Sequence, residues 1–433
     1  MAGILGVLVA LAVLIYLALR GINILIISLV CAGIVALTNG LSLNAALMGT
    51  YMQGLAGFLQ QFFLLFLFGA IFGKIMADSG AATSLAHVLS RKLGAGRALL
   101  IIVLACAILS YGGVNIFILV FTIYPLGVRL MRYANLPKRL LAGAFALGGG
   151  TFTMTALPGT PSVQNLIPSQ ALGTPATAAP AVGIPAAIVM FVLGYLYLRW
   201  QTNKARRMGE GFVPGRGDEA ATQDFRPEDL PHWALSLAPL AIVVGVVIAT
   251  RNMKPPLPWV NVALAVGCVA GVGLFYRHLK KVSATLGEGA ANSALPILNT
   301  SAVIGFGMVV STVPAFKAFA EFVSGLSLPP LVSASLVVNI MAGLMGSASG
   351  GLRIFLETMA PHYTSLGVEP ALLHRISAIA SGGLDSLPHN GVVITMLMVM
   401  GLTHRDAYKD IFWLTVLVPL AALGVGLVIA QLL

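Results

Sequence analysis

Long apolar runs alternate with short polar interruptions along this chain, and the run lengths predict its elements. Runs near 4–19, 22–38 and 51–73 approach the ~20 apolar residues a bilayer crossing needs, so they read as spanning helices. A mixed stretch at 78–97, carrying His87, Arg91, Lys92 and Arg97, reads as an amphipathic helix at the surface. Residues 98–131 are apolar but split by Ser110-Tyr-Gly-Gly-Val-Asn115. Each arm is short for a crossing, and basic residues flank both ends. The pattern predicts a re-entrant hairpin with its tip at Gly112 and Gly113. Residues 140–179 are interrupted by Thr151-Phe-Thr-Met-Thr-Ala-Leu-Pro-Gly-Thr-Pro-Ser-Val-Gln-Asn165 and predict a broken helix; a span near 180–198 follows.

Residues 199–232 are charged and polar and read as a flexible linker. The order then repeats. Spans lie near 233–250, 256–276 and 289–313. A mixed stretch at 314–326 carries Lys317 and Glu321. An apolar segment at 328–366 is split by Gly346-Ser-Ala-Ser-Gly-Gly351. A second broken helix, 371–402, and a span near 410–431 complete the chain. With the N-terminus outside, all but Arg251, Lys254, Lys317, Arg353 and Arg375 of the 25 Lys and Arg fall inside. Each half crosses an odd number of times, so the second is inverted relative to the first. The expected fold is an all-α polytopic membrane protein of two inverted repeats, each with about five transmembrane helices. The repeats occupy 1–198 and 233–433, and each contains a re-entrant hairpin and a broken helix. The 199–232 linker is cytoplasmic, both termini are outside, and the two hairpin tips meet near the midplane.

Composition agrees with this. Of 433 residues, 58% are hydrophobic and 9% charged, which no water-soluble domain matches. The net charge of +11 invites a nucleic-acid reading, but the basic residues sit at helix ends as membrane topology requires. Cys31, Cys106 and Cys268 lie far apart inside apolar runs and read as small core residues, not as a disulfide or metal set. The N-terminal run reads as a first span, since no basic region precedes it and no cleavage site follows.

The polar breaks carry the candidate chemistry. The second is Ser381-Gly-Gly-Leu-Asp-Ser-Leu-Pro-His-Asn-Gly391, at a depth where Asp385 and His389 are costly. Irregular backbone survives there only if buried in protein or lining a wet cavity. Paired interrupted segments in the two halves point to a transporter binding site, against the plainer reading of two ordinary polar loops. Helix starts at the breaks offer unpaired N–H groups to a carboxylate. Ser110, Asn115, Thr155, Thr160, Ser162, Asn165, Ser347, Ser349, Ser386 and Asn390 supply polar side chains. Gly112, Gly113, Gly159, Gly350 and Gly351 allow close backbone approach, as do Gly382 and Gly383. Arg353 and Glu357, four apart, share a helix face and read either as a structural ion pair or as a substrate-binding Arg353 beside Glu357. Asp385 and His389 are the proton-coupling candidates, with Glu357 next.

At these residues the chain resembles the gluconate permease (GntP) family of proton symporters, within the broader ion transporter superfamily. The matching text is Tyr111-Gly-Gly-Val-Asn115, Thr151–Pro161, Gln164-Asn165, Gly382–Gly391 and Gly401-Leu-Thr-His-Arg-Asp-Ala-Tyr-Lys409. It is closer to the branch for short hydroxy acids such as 3-hydroxybutyrate than to the sugar-acid members. The resemblance implies uptake of a small organic acid anion with protons across a bacterial inner (plasma) membrane. The superfamily implies a homodimer embedded in lipid, with a fixed scaffold and a transport domain that moves as an elevator.

Sodium coupling at the same site is the alternative, although the tips depart from the Ser-Asn-Thr of related sodium symporters. An intramembrane enzyme built on Asp385 and His389 is a third reading. No His-Glu-x-x-His, Gly-x-Ser-x-Gly or phosphate-loop motif supports a metal, hydrolase or ATP-driven site, so no cofactor and no catalytic role are expected.

Overall fold

The computed structural model describes residues 2–111, 116–160, 162–215, 218, 227–250, 256–314, 318 and 327–433, and every regular element among them is helical. Helix α1 (Ala2–Leu19) packs on α2 (Ile24–Thr38), whose start is capped by Asn23 accepting from the Leu25 amide at 2.9 Å. A π-turn at Ala45–Tyr51 runs directly into α3 (Met52–Asp78). Then come α4 (Ala81–Leu93), α5 (Ala98–Tyr111) and α6 (Ile116–Tyr133). The expected hairpin tip residues Gly112, Gly113 and Asn115 lie outside the described residues. The first broken helix is α7 (Arg139–Gly150), a π-turn at Phe152–Ala156, and α8 (Val163–Leu172); α9 (Pro180–Arg207) follows.

In the second half, α10 (Trp233–Ala249), α11 (Pro256–Phe275) and α12 (Val282–Thr312) are followed by α13 (Pro330–Met345), α14 (Ala348–Thr358) and the short α15 (Ala360–Ser365). The second broken helix is α16 (Pro370–Ser381) and α17 (Gly391–Val399). The chain ends in α18 (His404–Phe412), a π-turn at Trp413–Leu417, and α19 (Val418–Leu432). Among the described residues, five helical stretches are long and apolar enough to cross a bilayer: 45–78, 180–207, 258–275, 282–312 and 404–432. Large apolar side chains point outward from them, as at Val269 (74% exposed), and from α5 at Ile108 (70%), which is the surface of a bundle solvated by lipid.

The long helices α3 and α12 cross at glycines. A Cβ on Gly289 would sit 2.8 Å from Ile71 Cα, and one on Gly305 2.7 Å from the Tyr51 carbonyl oxygen. Lipid-embedded helices associate by such close backbone packing, because burial of apolar surface gives no advantage there. Helix α6 lies on α3 in the same way, with Gly73 against the Phe121 carbonyl and a ring cluster of Phe66, Phe117 and Phe121 beside it.

Three expectations change. The linker begins later than residue 199, because α9 continues to Arg207. Beyond that helix the stretch is pinned at points, although Met208 and Val213 stay exposed: Asp218 is fully buried and accepts from Lys138 Nζ at 2.5 Å, from the Tyr124 hydroxyl, and from the Gly215 amide at 2.7 Å. Glu210 pairs with Arg139 at 2.8 Å, and Arg139 also reaches Asp410 at 2.6 Å. This strap is therefore pinned to α6 and to the start of α7, and Arg139 carries the contact on to α18. The final span starts at His404, and its first turn carries a capping box of Thr403 and Asp406. Finally, the second hairpin turns at Gly346 and Ser347 alone. Ser349, Gly350 and Gly351 already belong to α14, where a Cβ on Gly351 would be 2.3 Å from the Ala342 amide nitrogen. Gly351 is thus required for α13–α14 contact.

Candidate functional site

The two breaks lie side by side, and a small cavity of about 30 Å³ opens between them. Ile116, Ala146, Gly150 and Met154 line it from the first half. Asp385, Ser386, Asn390, Val392, Val393 and Met396 line it from the second, with Ile411 and Thr415 from the last helix. That volume suits one or two waters. Asp385 is buried at 6% exposure and accepts from the Ser386 hydroxyl at 3.0 Å. Among the described residues no cation pairs with it.

Asn390 organises the second break. Its side-chain oxygen accepts from the Val393 amide at 2.9 Å and so caps α17. Its Nδ2 donates to the Asp385 carbonyl at 2.9 Å and to the Gly346 carbonyl at 3.1 Å, which ties the second hairpin turn to the break. The His389 ring is fully buried against Gly346 and edge-on to Phe306, and neither ring nitrogen has a hydrogen-bond partner among the described residues. Helix α18 holds the outer side of the break: the Tyr408 hydroxyl donates to the Ser386 carbonyl at 3.1 Å, and His404 Nε2 lies 2.6 Å from the Pro388 carbonyl.

The first break is held by its own polar residues. Ser110 donates to the Gly149 carbonyl at 3.3 Å and accepts from the Thr153 hydroxyl at 3.1 Å. Thr155 donates to the Thr151 carbonyl at 3.1 Å, and its methyl group packs against Gly382 of the other break. Ser162 donates to the Met154 carbonyl at 2.7 Å. Gly159, at φ 82°, takes a left-handed turn that only glycine adopts cheaply, and its amide reaches the Ala176 carbonyl at 2.9 Å. Asn165 Nδ2 donates to the carbonyls of Thr160 and Ala176, both at 2.8 Å. The Thr160 hydroxyl is fully buried and has no hydrogen-bond partner among the described residues.

Two neighbours on α16 join the breaks. His374 Nε2 lies 2.9 Å from Asn165 Oδ1, and its Nδ1 lies 2.6 Å from the Thr174 hydroxyl. Because Asn165 spends its amide group on carbonyls, its oxygen must accept, so Nε2 carries the proton. Arg375 is fully buried and donates to the carbonyls of Ala178 (3.1 Å), Ala156 (3.4 Å) and Ala176 (3.0 Å). Hydrogen bonds from a charged donor return about 1.5–3 kcal/mol each, so the three carbonyls offset part of the cost of burying the guanidinium. No carboxylate pairs with it among the described residues.

A family model described as GntP family permease matches residues 2–432. The chain belongs to the GntP family of permeases. It is 36% identical over 462 residues to the uncharacterized transporter YxjC of Bacillus subtilis, covering 97% of each chain. It is 23% identical over 327 residues to an uncharacterized transporter of Haemophilus influenzae, covering 74% of this chain and 73% of that one. The crystal structure of the Alcanivorax borkumensis YdaH transporter overlaps 89% of this chain and 87% of its own at 18% identity, with a TM-score of 0.39, too slight a likeness to transfer detail.

The permease is an integral membrane transporter, and its sequence-predicted residues separate into groups. Asp385, Ser386 and Asn390 face the cavity. Ser110, Thr155, Gly159, Ser162 and Asn165 shape the first break by bonding its backbone. Ser347 caps α14 by accepting from the Gly350 amide at 3.3 Å, with Ser349 3.5 Å from it, and neither lines the cavity. Arg353 and Glu357 sit on the exposed face of α14 and form no ion pair among the described residues, away from the cavity. Spacing alone points least of all to His374, Arg375, His404 and Tyr408. The one signal for Arg375 is its failure to fit the charge topology.

Proposed function

We propose that this permease is a secondary transporter that imports a small organic (hydroxy)carboxylate, such as gluconate or 3-hydroxybutyrate, together with protons. The observation that carries the reading is Asp385: a carboxyl in the cavity between two broken helices, with one side-chain donor and no cationic partner among the described residues. A carboxylate there is costly unless protonated, so a proton on Asp385 accompanies the loaded site. The amide of Val392, in the first turn of α17 and not taken up by the Asn390 cap on Val393, is positioned to receive the substrate carboxylate, with Ser386 and Asn390 as its polar neighbours.

The wider mechanism is part of the same proposal. The breaks are bound to each other through His374, Arg375 and Asn165, which favours their movement as one body against the α3–α12 pair, as an elevator does. The distribution of basic residues favours two inverted repeats, outward termini and a cytoplasmic strap in a bacterial inner membrane. A homodimer completes the reading. The decisive experiment is uptake by proteoliposomes under an imposed inward pH gradient, then a sodium gradient, across a panel of hydroxy acids. Accumulation driven by the pH gradient supports the proposal. Accumulation by the sodium gradient alone replaces it with sodium symport.

A further inference from the structure

Among the described residues, the buried charged side chains are Arg129, Lys138, Asp218, Arg375, Asp385 and Asp410. Lys138 pairs with Asp218 and Asp410 with Arg139, while Arg129 is engaged at the end of α6. Arg375 and Asp385 are left, one of each sign, without an ion pair. They lie on the same broken helix, Arg375 in its first arm and Asp385 in its unwound centre. Three of the neighbouring titratable groups are hydrogen-bonded: Tyr408 to the Ser386 carbonyl, His404 to the Pro388 carbonyl, and His374 to Asn165 and Thr174. His389 packs on Gly346, and neither of its ring nitrogens has a hydrogen-bond partner among the described residues.

We infer that Arg375 is the fixed counter-charge of the transport site, so that neither form of the carrier that crosses the membrane bears net charge. This rests on the proton-coupled reading of Asp385. In the empty carrier the guanidinium balances an ionised Asp385. In the loaded carrier Asp385 holds one proton, and the guanidinium balances the carboxylate of a monoanionic substrate. One proton and one anion then enter per cycle, and no step displaces charge. The carbonyl-only coordination fits this role, because a carboxylate partner would cancel the positive charge that the substrate needs. Arg375 is a positioning residue, fixed to the first break through Ala156, and acts through charge and not by contact with substrate. A guanidinium stays protonated throughout, so Arg375 keeps its charge while Asp385 carries the proton.

The test uses the full-length permease in proteoliposomes under a constant inward pH gradient, with a membrane potential clamped by potassium and valinomycin, and with charge movement recorded on a solid-supported membrane. The initial uptake rate should change by less than about twofold between inside-negative and inside-positive potentials, since the field acts only on net charge moved. A substrate jump at matched pH should give no transient current. Arg375→Gln leaves one negative charge on both crossing forms. It should show a transient current and potential-dependent counterflow while keeping one proton per anion. Arg375→Lys keeps the charge and should remain silent electrically. Wild-type uptake that follows the pH gradient but rises several-fold with an inside-negative potential overturns the inference even if the glutamine variant fails to fold. Absence of any pH-driven uptake would instead refute the proton-coupled reading on which it rests.

Discussion

His374 Nε2 and Asn165 Oδ1 meet at 2.9 Å across 209 residues of sequence, one on each broken helix. Asn165 also holds two carbonyls of its own loop, so a single side chain closes the first break and fastens it to the second.

Asn165→Ala removes three buried hydrogen bonds, each worth about 0.5–1.5 kcal/mol, and should destabilise the permease by about 2–4 kcal/mol in detergent thermal unfolding. His374→Ala should cost less. A double-mutant cycle should give a coupling of about 0.5–3 kcal/mol. Strictly additive effects would show that the two helices are not joined here.

Asp385→Asn mimics the protonated carboxyl. An inward gradient of one pH unit supports about tenfold accumulation of an anion carried with one proton. The variant should retain counterflow of labelled substrate but accumulate none above equilibrium. Lowering the external pH should speed wild-type uptake and leave the variant flat. Gradient-driven accumulation by Asp385→Asn would remove this residue from coupling.

Gly351→Leu places a side chain where a Cβ alone meets the Ala342 amide at 2.3 Å. Backbone cannot yield as a side chain can, so overpacking should cost at least ~1–3 kcal/mol and reduce folded yield. Gly350→Ala meets side chains and not backbone, the mobile end of Met345 at 3.0 Å and the Ser347 hydroxyl at 3.3 Å, and should cost far less. Fluorescence-detected size exclusion separates the two outcomes.

Asp218→Asn strands Lys138, which is only 3% exposed at its side chain. Breaking a buried pair from one side costs about 3–5 kcal/mol, whereas replacing both partners with apolar groups is often neutral. Lys138→Met combined with Asp218→Leu should therefore recover most of the thermal stability lost in Asp218→Asn. The Tyr124 hydroxyl keeps the Met400 carbonyl at 3.4 Å as an acceptor in both.

The breaks are legible in the sequence because glycine and proline clustered with polar residues disfavour a helix: Gly382, Gly383, Leu157-Pro158 and Leu387-Pro388 all fall where the structure unwinds. Asp385, Ser386 and Asn390 are legible for the same reason, being polar residues in an apolar setting. Arg375 and Tyr408 are not, since their partners are backbone carbonyls, which leave no trace in side-chain identity. The spacing of Arg353 and Glu357 gives a shared face correctly, but which way that face turns depends on how α14 packs. Asp218 sits in a charge-rich stretch that composition assigns to solvent, and only the arrival of Lys138 and Tyr124 from elsewhere in the fold buries it.

Arg375 follows Ala178 by 197 residues, a separation that shapes biosynthesis. At a synthesis rate of about 5–20 residues per second, some 10–40 seconds separate the two at the ribosome. During that interval the carbonyls of Ala156 and Ala178 await their donor, while that of Ala176 is held within the first half by Asn165 and the Gly159 amide. The nascent first half must rest in the membrane unfinished, and it matures only when α16 is inserted beside it. Two fragments translated separately should each be short-lived alone and should assemble into a working carrier when produced in the same cell.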